Sequence, residues 1–219
     1  PYVEYAYADG ASGGVASYVR LDEVTYPAGR QVHYDYGTAG ATDDVMSRLA
    51  AIKDHDDTTV LASYRYLGGG TVVVEDYEQP DLRLDRYNDY SGSPVAGTYE
   101  GFDRFGRVTT QLWRNYAGAG SDADKFVHAY DYNSNRTQRD LTLTTGKDEK
   151  YTHDDLNRLV DFDRGTLSGG AITSKVRNQA WTLSPTGNWT EFKIDADGSG
   201  DYDDAGDLDQ NRTHTKANE

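Results

Sequence analysis

Seven aspartates fall between positions 195 and 209 (195, 197, 201, 203, 204, 207 and 209), with no lysine or arginine among them. Carboxylates this close repel one another unless they are solvated, screened by salt or bound to a cation. Their spacing is ordered: Asp195, Asp197 and Ser199 alternate, Gly200 permits a sharp bend at the sixth place, and Asp201 and Asp203 continue the alternation. Calcium loops present oxygens from positions 1, 3, 5, 7 and 9 in this way. Asp195, Asp197, Ser199, Asp201 and Asp203 are therefore candidate ligands for Ca2+, the one cofactor the sequence suggests. Two features depart from the pattern. The twelfth place is Gly206 where a bidentate Glu is expected, with Asp204 or Asp207 as substitutes, and the flanks at 191–194 and 210–213 do not read as paired helices. The alternative is a solvated acidic loop between two hairpins.

A second chemistry-bearing pattern pairs an aspartate with an arginine. Residues 130–136 read YDYNSNR, and twenty-three positions later residues 153–159 read HDDLNRL. Each copy sets an aromatic ring (Tyr130, His153), then Asp (Asp131, Asp154), two spacers, a turn-forming residue, and Arg (Arg136, Arg158), with Asn135 and Asn157 just before the arginine. FDRFGRV at 102–108 is the cleanest copy, with Phe102, Asp103, Gly106 and Arg107. A carboxylate beside a base suits acid–base work. An enzyme needs one site, however, and these groups recur in every unit, so the expected role is to fasten each turn to its neighbour through charge-assisted bonds to carboxylates or turn carbonyls. The five histidines are dispersed and form no spaced metal pair. No catalytic residue is nominated, and the chain is expected not to be an enzyme. Trp113, Trp181 and Trp189 either stack on sugar rings or, the favoured reading, pack the wall of a sheet.

Such motifs need tight turns between strands. The residue before Asn or Arg suits positive φ, where Gly, Asn and Asp are least strained, and the Asp can bond to backbone at the turn. Weaker copies lie at 43–49, at 26–30 and at 183–189, the last keeping Gly187 and losing the Asp. Turns are thus expected at 29, 47, 106, 134, 157 and 187, with degenerate copies near 67–70 and 88–92. Tyr-x-Tyr pairs at Tyr5/Tyr7, Tyr34/Tyr36, Tyr64/Tyr66 and Tyr130/Tyr132 are expected to line one face, because residues two apart in a strand share it. Leu141 and Leu143 against Thr142 and Thr144 read as an alternating strand. At 43–54, apolar residues also fall at helical spacing, but a degenerate hairpin is preferred. The sum is an all-β chain, a repetitive antiparallel ribbon of hairpins.

These stretches, YDYNSNR, FDRFGRV, HDDLNRL and SPTGNW, resemble the YD repeats of Rhs proteins, over roughly residues 20–192. The resemblance implies a β-ribbon that spirals into a hollow shell enclosing polypeptide cargo, as in bacterial polymorphic toxins and insecticidal toxin complexes, with teneurins as animal relatives. The expected organisation is YD-type hairpins over 1–192, degenerate to 97 and clearer from 98, an acidic loop at 193–210, and the start of a further repeat at 211–219. The chain reads as a piece of something longer.

Composition agrees with a β protein. Eighteen Tyr against five Phe suit half-buried strand positions, where the ring packs and the hydroxyl stays wet. A net charge of −15 disfavours nucleic acid and anionic membrane surfaces. There is no cysteine, so no disulfide. No run approaches the length of a membrane-spanning helix. The expected function is a non-enzymatic structural module of a large secreted or cell-surface Rhs-like protein, part of a shell around a toxin or similar polypeptide. The alternative is an extracellular filament or adhesin subunit that assembles end to end and binds glycans or neighbouring cells. Expected partners are adjacent repeats, other copies, cargo or glycans, without membrane insertion.

Overall fold

The computed structural model describes residues 2–9, 20–86, 101–117 and 120–215. Its strands are β1 (Glu4–Tyr7), β2 (Leu21–Thr25), β3 (Gln31–Asp35), β4 (Ala51–Asp54), β5 (Val60–Leu67), β6 (Thr71–Tyr77), β7 (Leu82–Asp85) and β8 (Thr110–Asn115). They continue as β9 (Ser121–Tyr130), β10 (Arg136–Leu141), β11 (Asp148–His153), β12 (Leu159–Ser168), β13 (Ala171–Leu183), β14 (Trp189–Asp195) and β15 (Leu208–Asn211). A single helical turn, α1 (Thr42–Val45), precedes β4. The fifteen strands follow one another in chain order in one antiparallel sheet, so the all-β reading of the sequence holds. By contacts the chain divides into two units, Pro1–Phe105 with Gln111–Ala123, and Gly106–Thr110 with Asp124–Glu219.

The first unit has a small apolar core. Val24, Ala51, Ala62, Val73, Val74, Leu84 and Leu112 are buried, each from a different point along the meander. Tyr34, Tyr36, Tyr64 and Tyr66 sit close enough for their hydroxyls to act on one another, so this pair of Tyr-x-Tyr motifs does share a face. Residues 43–54 are resolved differently from either simple expectation. α1 occupies 42–45, Ser47 turns the chain with φ 54°, and β4 pairs with β3, giving a hairpin whose loop contains one helical turn.

The second unit holds itself together in another way. Among its described residues the buried side chains are polar: Asp148, Glu149, Asn178 and Asp195. Its rings are half-buried and pack on each other, Tyr151 on Phe162 at 5.6 Å and Trp181 on Phe192 at 5.4 Å. Cross-strand pairing of this kind is the basic stabilising contact of a sheet. β-bulges recur beside the motif turns, with the extra residue on the even-numbered strand: Val160 of β12 against Thr152/His153 of β11, and Thr190 of β14 against Thr182/Leu183 of β13; in the first unit, Val73 of β6 stands the same way against Arg65/Tyr66 of β5. A bulge inserts one residue and re-aims the side chain beside it.

Three expectations are corrected. Tyr132 does not share a face with Tyr130, because β9 ends at Tyr130 and Tyr132 stands fully exposed in the turn. Leu143 is not in a strand, because β10 ends at Leu141, Thr144 N–H bonds back to Leu141, and a turn continues to Gly146 at φ 76°. The 26–30 turn joins β2 to β3, at the sheet edge opposite the turns that join odd to even strands, so it is not part of the motif series. The expected copy at 88–92 lies outside the described residues; near 67–70, Gly68 turns the β5–β6 hairpin at φ 60°.

Candidate functional site

Within each motif the aspartate closes its own turn. Asp131 Oδ1 accepts from Asn135 N (2.8 Å) and Oδ2 from Asn135 Nδ2 (2.9 Å). Asp154 accepts from the backbone N–H of Leu156 and Arg158 (2.9 Å each) and from Arg158 Nε (2.6 Å). Asp103 accepts from Phe105 N at 2.9 Å. These bonds hold Asp131 and Asp154 below the ordinary carboxylate range, Asp131 chiefly through the Asn135 side chain and Asp154 chiefly through Arg158. Positive φ is found at Gly106, Ser134, Asn157 and Gly187, where the chain reverses and L-residues other than Gly and Asn are disfavoured.

The arginine reaches out of its motif. Arg107 donates to the Asp131 carbonyl (3.0 Å) and Ser134 Oγ (3.2 Å), and Arg158 donates to the Ser184 carbonyl (2.8 Å). Asn133 and Asn135 both donate to Asn157 Oδ1, at 2.9 and 2.8 Å. Turn is thus tied to turn along one edge of the second unit, from 107 to 134, 135 to 157 and 158 to 184. In the first unit, Arg48 bonds Asp43 and the Gly68 carbonyl, and Arg20 bonds Asp44. Arg136 departs from the series: its guanidinium lies 4.8 Å from the Tyr151 ring and its Nη2 bonds the Tyr151 hydroxyl at 3.1 Å.

The motif aspartates Asp131 and Asp154 bond their own turns. A shallow polar groove, lined by Asp131, Asn133, Lys150, Tyr151, His153 and Asp154, runs between two motifs, but Asp131 and Asp154 already accept two or more bonds each, as described above.

The acidic segment is a loop of residues 196–207, since β14 extends through Asp195 and β15 starts at Leu208. Asp195 is buried and organises it, accepting from the backbone N–H of Asp197 (3.3 Å), Gly198 (2.6 Å) and Gly200 (2.9 Å). Burial pushes this carboxyl up, but the three backbone bonds outweigh it and its pKa lies below the ordinary value. Asp207 closes the far side through Ala196 N and Asp204 N. Carboxylate oxygens of Asp195, Asp197 and Asp207 lie within 4.8 Å of one another, as do those of Asp201, Asp204 and Asp207. Asp207 joins both groups, whereas Asp203 joins neither; Ser199 Oγ donates to Asp201 at 3.4 Å. The charges of Asp201 and Asp197 push the Asp204 carboxyl up. Oxygens so grouped suit a hard cation such as Ca2+.

No protein-family model matches the chain, and no curated protein matches it. Among solved structures, the crystal structure of TcdB2-TccC3-Cdc42 superposes with a TM-score of 0.59 at 15% identity, over 90% of this chain. The likeness is one of fold. The chain spans 9% of the length of that neighbour.

A tyrosine clasp escaped the sequence reading. Arg20 lies over the Tyr36 ring (4.9 Å), Arg48 over Tyr66 (4.8 Å) and Arg107 over Tyr130 (4.7 Å). Each hydroxyl then returns to the carbonyl of the residue after its arginine: Tyr36 to Leu21 (3.1 Å), Tyr66 to Leu49 (2.7 Å), Tyr130 to Val108 (2.8 Å). The signal was present as Arg followed by an apolar residue, with a tyrosine 16, 18 or 23 positions later. The variable separation hid it, because loops of different length intervene between fixed contacts.

Proposed function

We propose that this chain is a non-enzymatic wall segment of a larger secreted or cell-surface Rhs-like protein, a β-ribbon that helps enclose polypeptide cargo such as a toxin. The observation that carries this reading is the lacing of successive motif turns by Arg107, Asn135 and Arg158. Recurrent lacing stiffens an extended ribbon, and repeat proteins gain stability by summing such neighbour contacts. The fold likeness to a protein crystallised in the TcdB2-TccC3-Cdc42 assembly supports the same reading, as does the engagement of the motif carboxylates in turns. The test is limited proteolysis of the full-length gene product. Cargo sequence protected while the protein is intact, and cut once the wall is breached, is the expected result; cargo cut at once in the intact protein would overturn the reading.

A filament or adhesin subunit is the second reading, favoured by one observation. Among the described residues β1 pairs on one side only, with β2, and Tyr5 and Tyr7 on it are 60% and 53% exposed. Such an edge invites pairing with another copy. Sedimentation velocity separates the two, since concentration-dependent large species favour the filament. Calcium held by Asp195, Asp197 and Asp207 is proposed as an accessory feature of either reading, and equilibrium dialysis against radioactive calcium tests it.

A further inference from the structure

In an antiparallel sheet, residues paired across strands point to the same face. Following the register through the second unit, His128 pairs with Arg139, Arg139 with Glu149, Glu149 with Arg164, and Arg164 with Arg177. These five residues form one straight rung across β9 to β13, about 19 Å long at the usual strand spacing. The rung carries three guanidinium groups against one carboxylate. Glu149 is buried and receives both Arg139 (2.9 Å) and Arg164 (2.7 Å), so its charge is fully engaged.

Three nitrogens of the rung, His128 Nδ1, Arg139 Nε and Arg164 Nε, are buried without a hydrogen-bond partner, and the exposed part of each guanidinium is what a ligand meets. Arg177 makes no hydrogen bond or ion pair among the described residues, and it stands directly opposite Arg164, a like-charge placement that ordinarily destabilises a sheet. A cationic rung left short of acceptors, with the Arg139 and Arg164 side chains 30% and 42% exposed, is suited to a carboxylate-bearing ligand. The next rung on the same face is apolar, the Tyr151–Phe162 pair, and the rung on the other side is Phe126 with Leu141. Side chains that settle here must therefore be apolar beside acidic. A polyphosphate chain fits less well, because its backbone offers no apolar side chains to the flanking rungs.

We propose that this rung is a docking strip for an extended polypeptide carrying carboxylate side chains among apolar ones. The inference rests on the wall reading and names the kind of cargo segment this face receives.

The test uses fluorescein-labelled peptides of alternating Glu and Phe, their Lys and Phe counterparts, and oligothymidylate, each titrated by anisotropy. The Glu/Phe peptide is expected to bind, with affinity falling as salt rises. Arg177→Gln is expected to weaken binding roughly fivefold and the Arg164→Gln, Arg177→Gln pair roughly twenty-fivefold. The Arg177 side chain bonds to no described residue, so its single variant keeps the test decisive should the pair unfold. No binding, equal binding of the Lys/Phe peptide, a preference for oligothymidylate, or indifference to Arg177→Gln would each overturn the proposal. Cargo protection in the full-length protein is scored separately, so a failed strip and a failed wall give different results.

Discussion

Arg20→Met is the most informative single change in the first unit. Arg20 and Asp44 form an ion pair in which the arginine is 7% and the aspartate 2% exposed. Arg20 also bonds the Asp44 carbonyl and Ser47 Oγ (3.3 Å) and lies over the Tyr36 ring. Removing the arginine leaves a buried carboxylate without its counter-charge, a loss of about 3–5 kcal/mol. Replacing both partners, as in Arg20→Met with Asp44→Leu, should recover most of that, because a buried pair exchanged for apolar groups is often near neutral. Recovery should stop about 1 kcal/mol short, since Gly40 N also bonds Asp44, at 2.7 Å. Hydrogen exchange by mass spectrometry is the assay. In a repeat array each element contacts only its neighbours, so exchange should rise on the order of a hundredfold or more in peptides covering β2 to β4 and stay unchanged in β12 to β14. A change below about 1 kcal/mol, a double variant as damaged as the single, or a uniform rise along the chain would refute the reasoning.

The tyrosine clasp predicts that Tyr66→Phe, which removes the 2.7 Å bond to the Leu49 carbonyl, costs about 1 kcal/mol by urea unfolding, whereas Tyr132→Phe in the exposed turn leaves the midpoint unchanged. Gly187 has φ 91°, so Gly187→Ala should lose about 1–2 kcal/mol by the same measurement. The second unit should lose stability on acidification in two steps. Burial, then Arg136 and Arg139, lower the His128 pKa, so its contribution is full above 6.5 and is lost as pH falls through the folded value. Burial pushes Glu149 up, but the bonds from Tyr151 and Arg164 outweigh it and its pKa is lowered, so its contribution is full above about 4.5 and is lost below. His128→Phe should flatten the first step and Glu149→Gln the second in thermal melts across pH 7 to 3. In the acidic loop, calcium should release protons as it binds, because Asp201 and Asp197 push the Asp204 carboxyl above the ordinary carboxylate range. Gly198→Ala, whose added Cβ would lie 2.2 Å from the Lys175 carbonyl, should abolish both calcium uptake and that proton release; calorimetry in two buffers reads both.

Local chemistry was legible in the sequence where one residue type answers one backbone demand. Positions 29, 47, 106, 134, 157 and 187 all have left-handed φ, because a reversal of the chain calls for Gly, Asn or a small polar residue at a fixed place. The series to which a turn belongs was not. The 26–30 turn looks like a motif locally, and only strand order puts it on the opposite edge. Arg20 was overlooked for the same kind of reason, since its partner Asp44 lies 24 residues away and no spacing rule spans a loop of arbitrary length. In the acidic loop the alternation named Asp195, Asp197 and Asp201, while Asp207, which joins both oxygen groups, lies off that alternation and Asp203 joins neither.

Single-particle imaging of the full-length gene product tests the central claim most directly. The account predicts that residues 2–215 lie in the wall of a closed β-structure, with polypeptide density inside it and continuous turn-to-turn contacts from Arg107, Asn135 and Arg158. An open filament built from repeated copies, or a wall closed around no polypeptide at all, would contradict it.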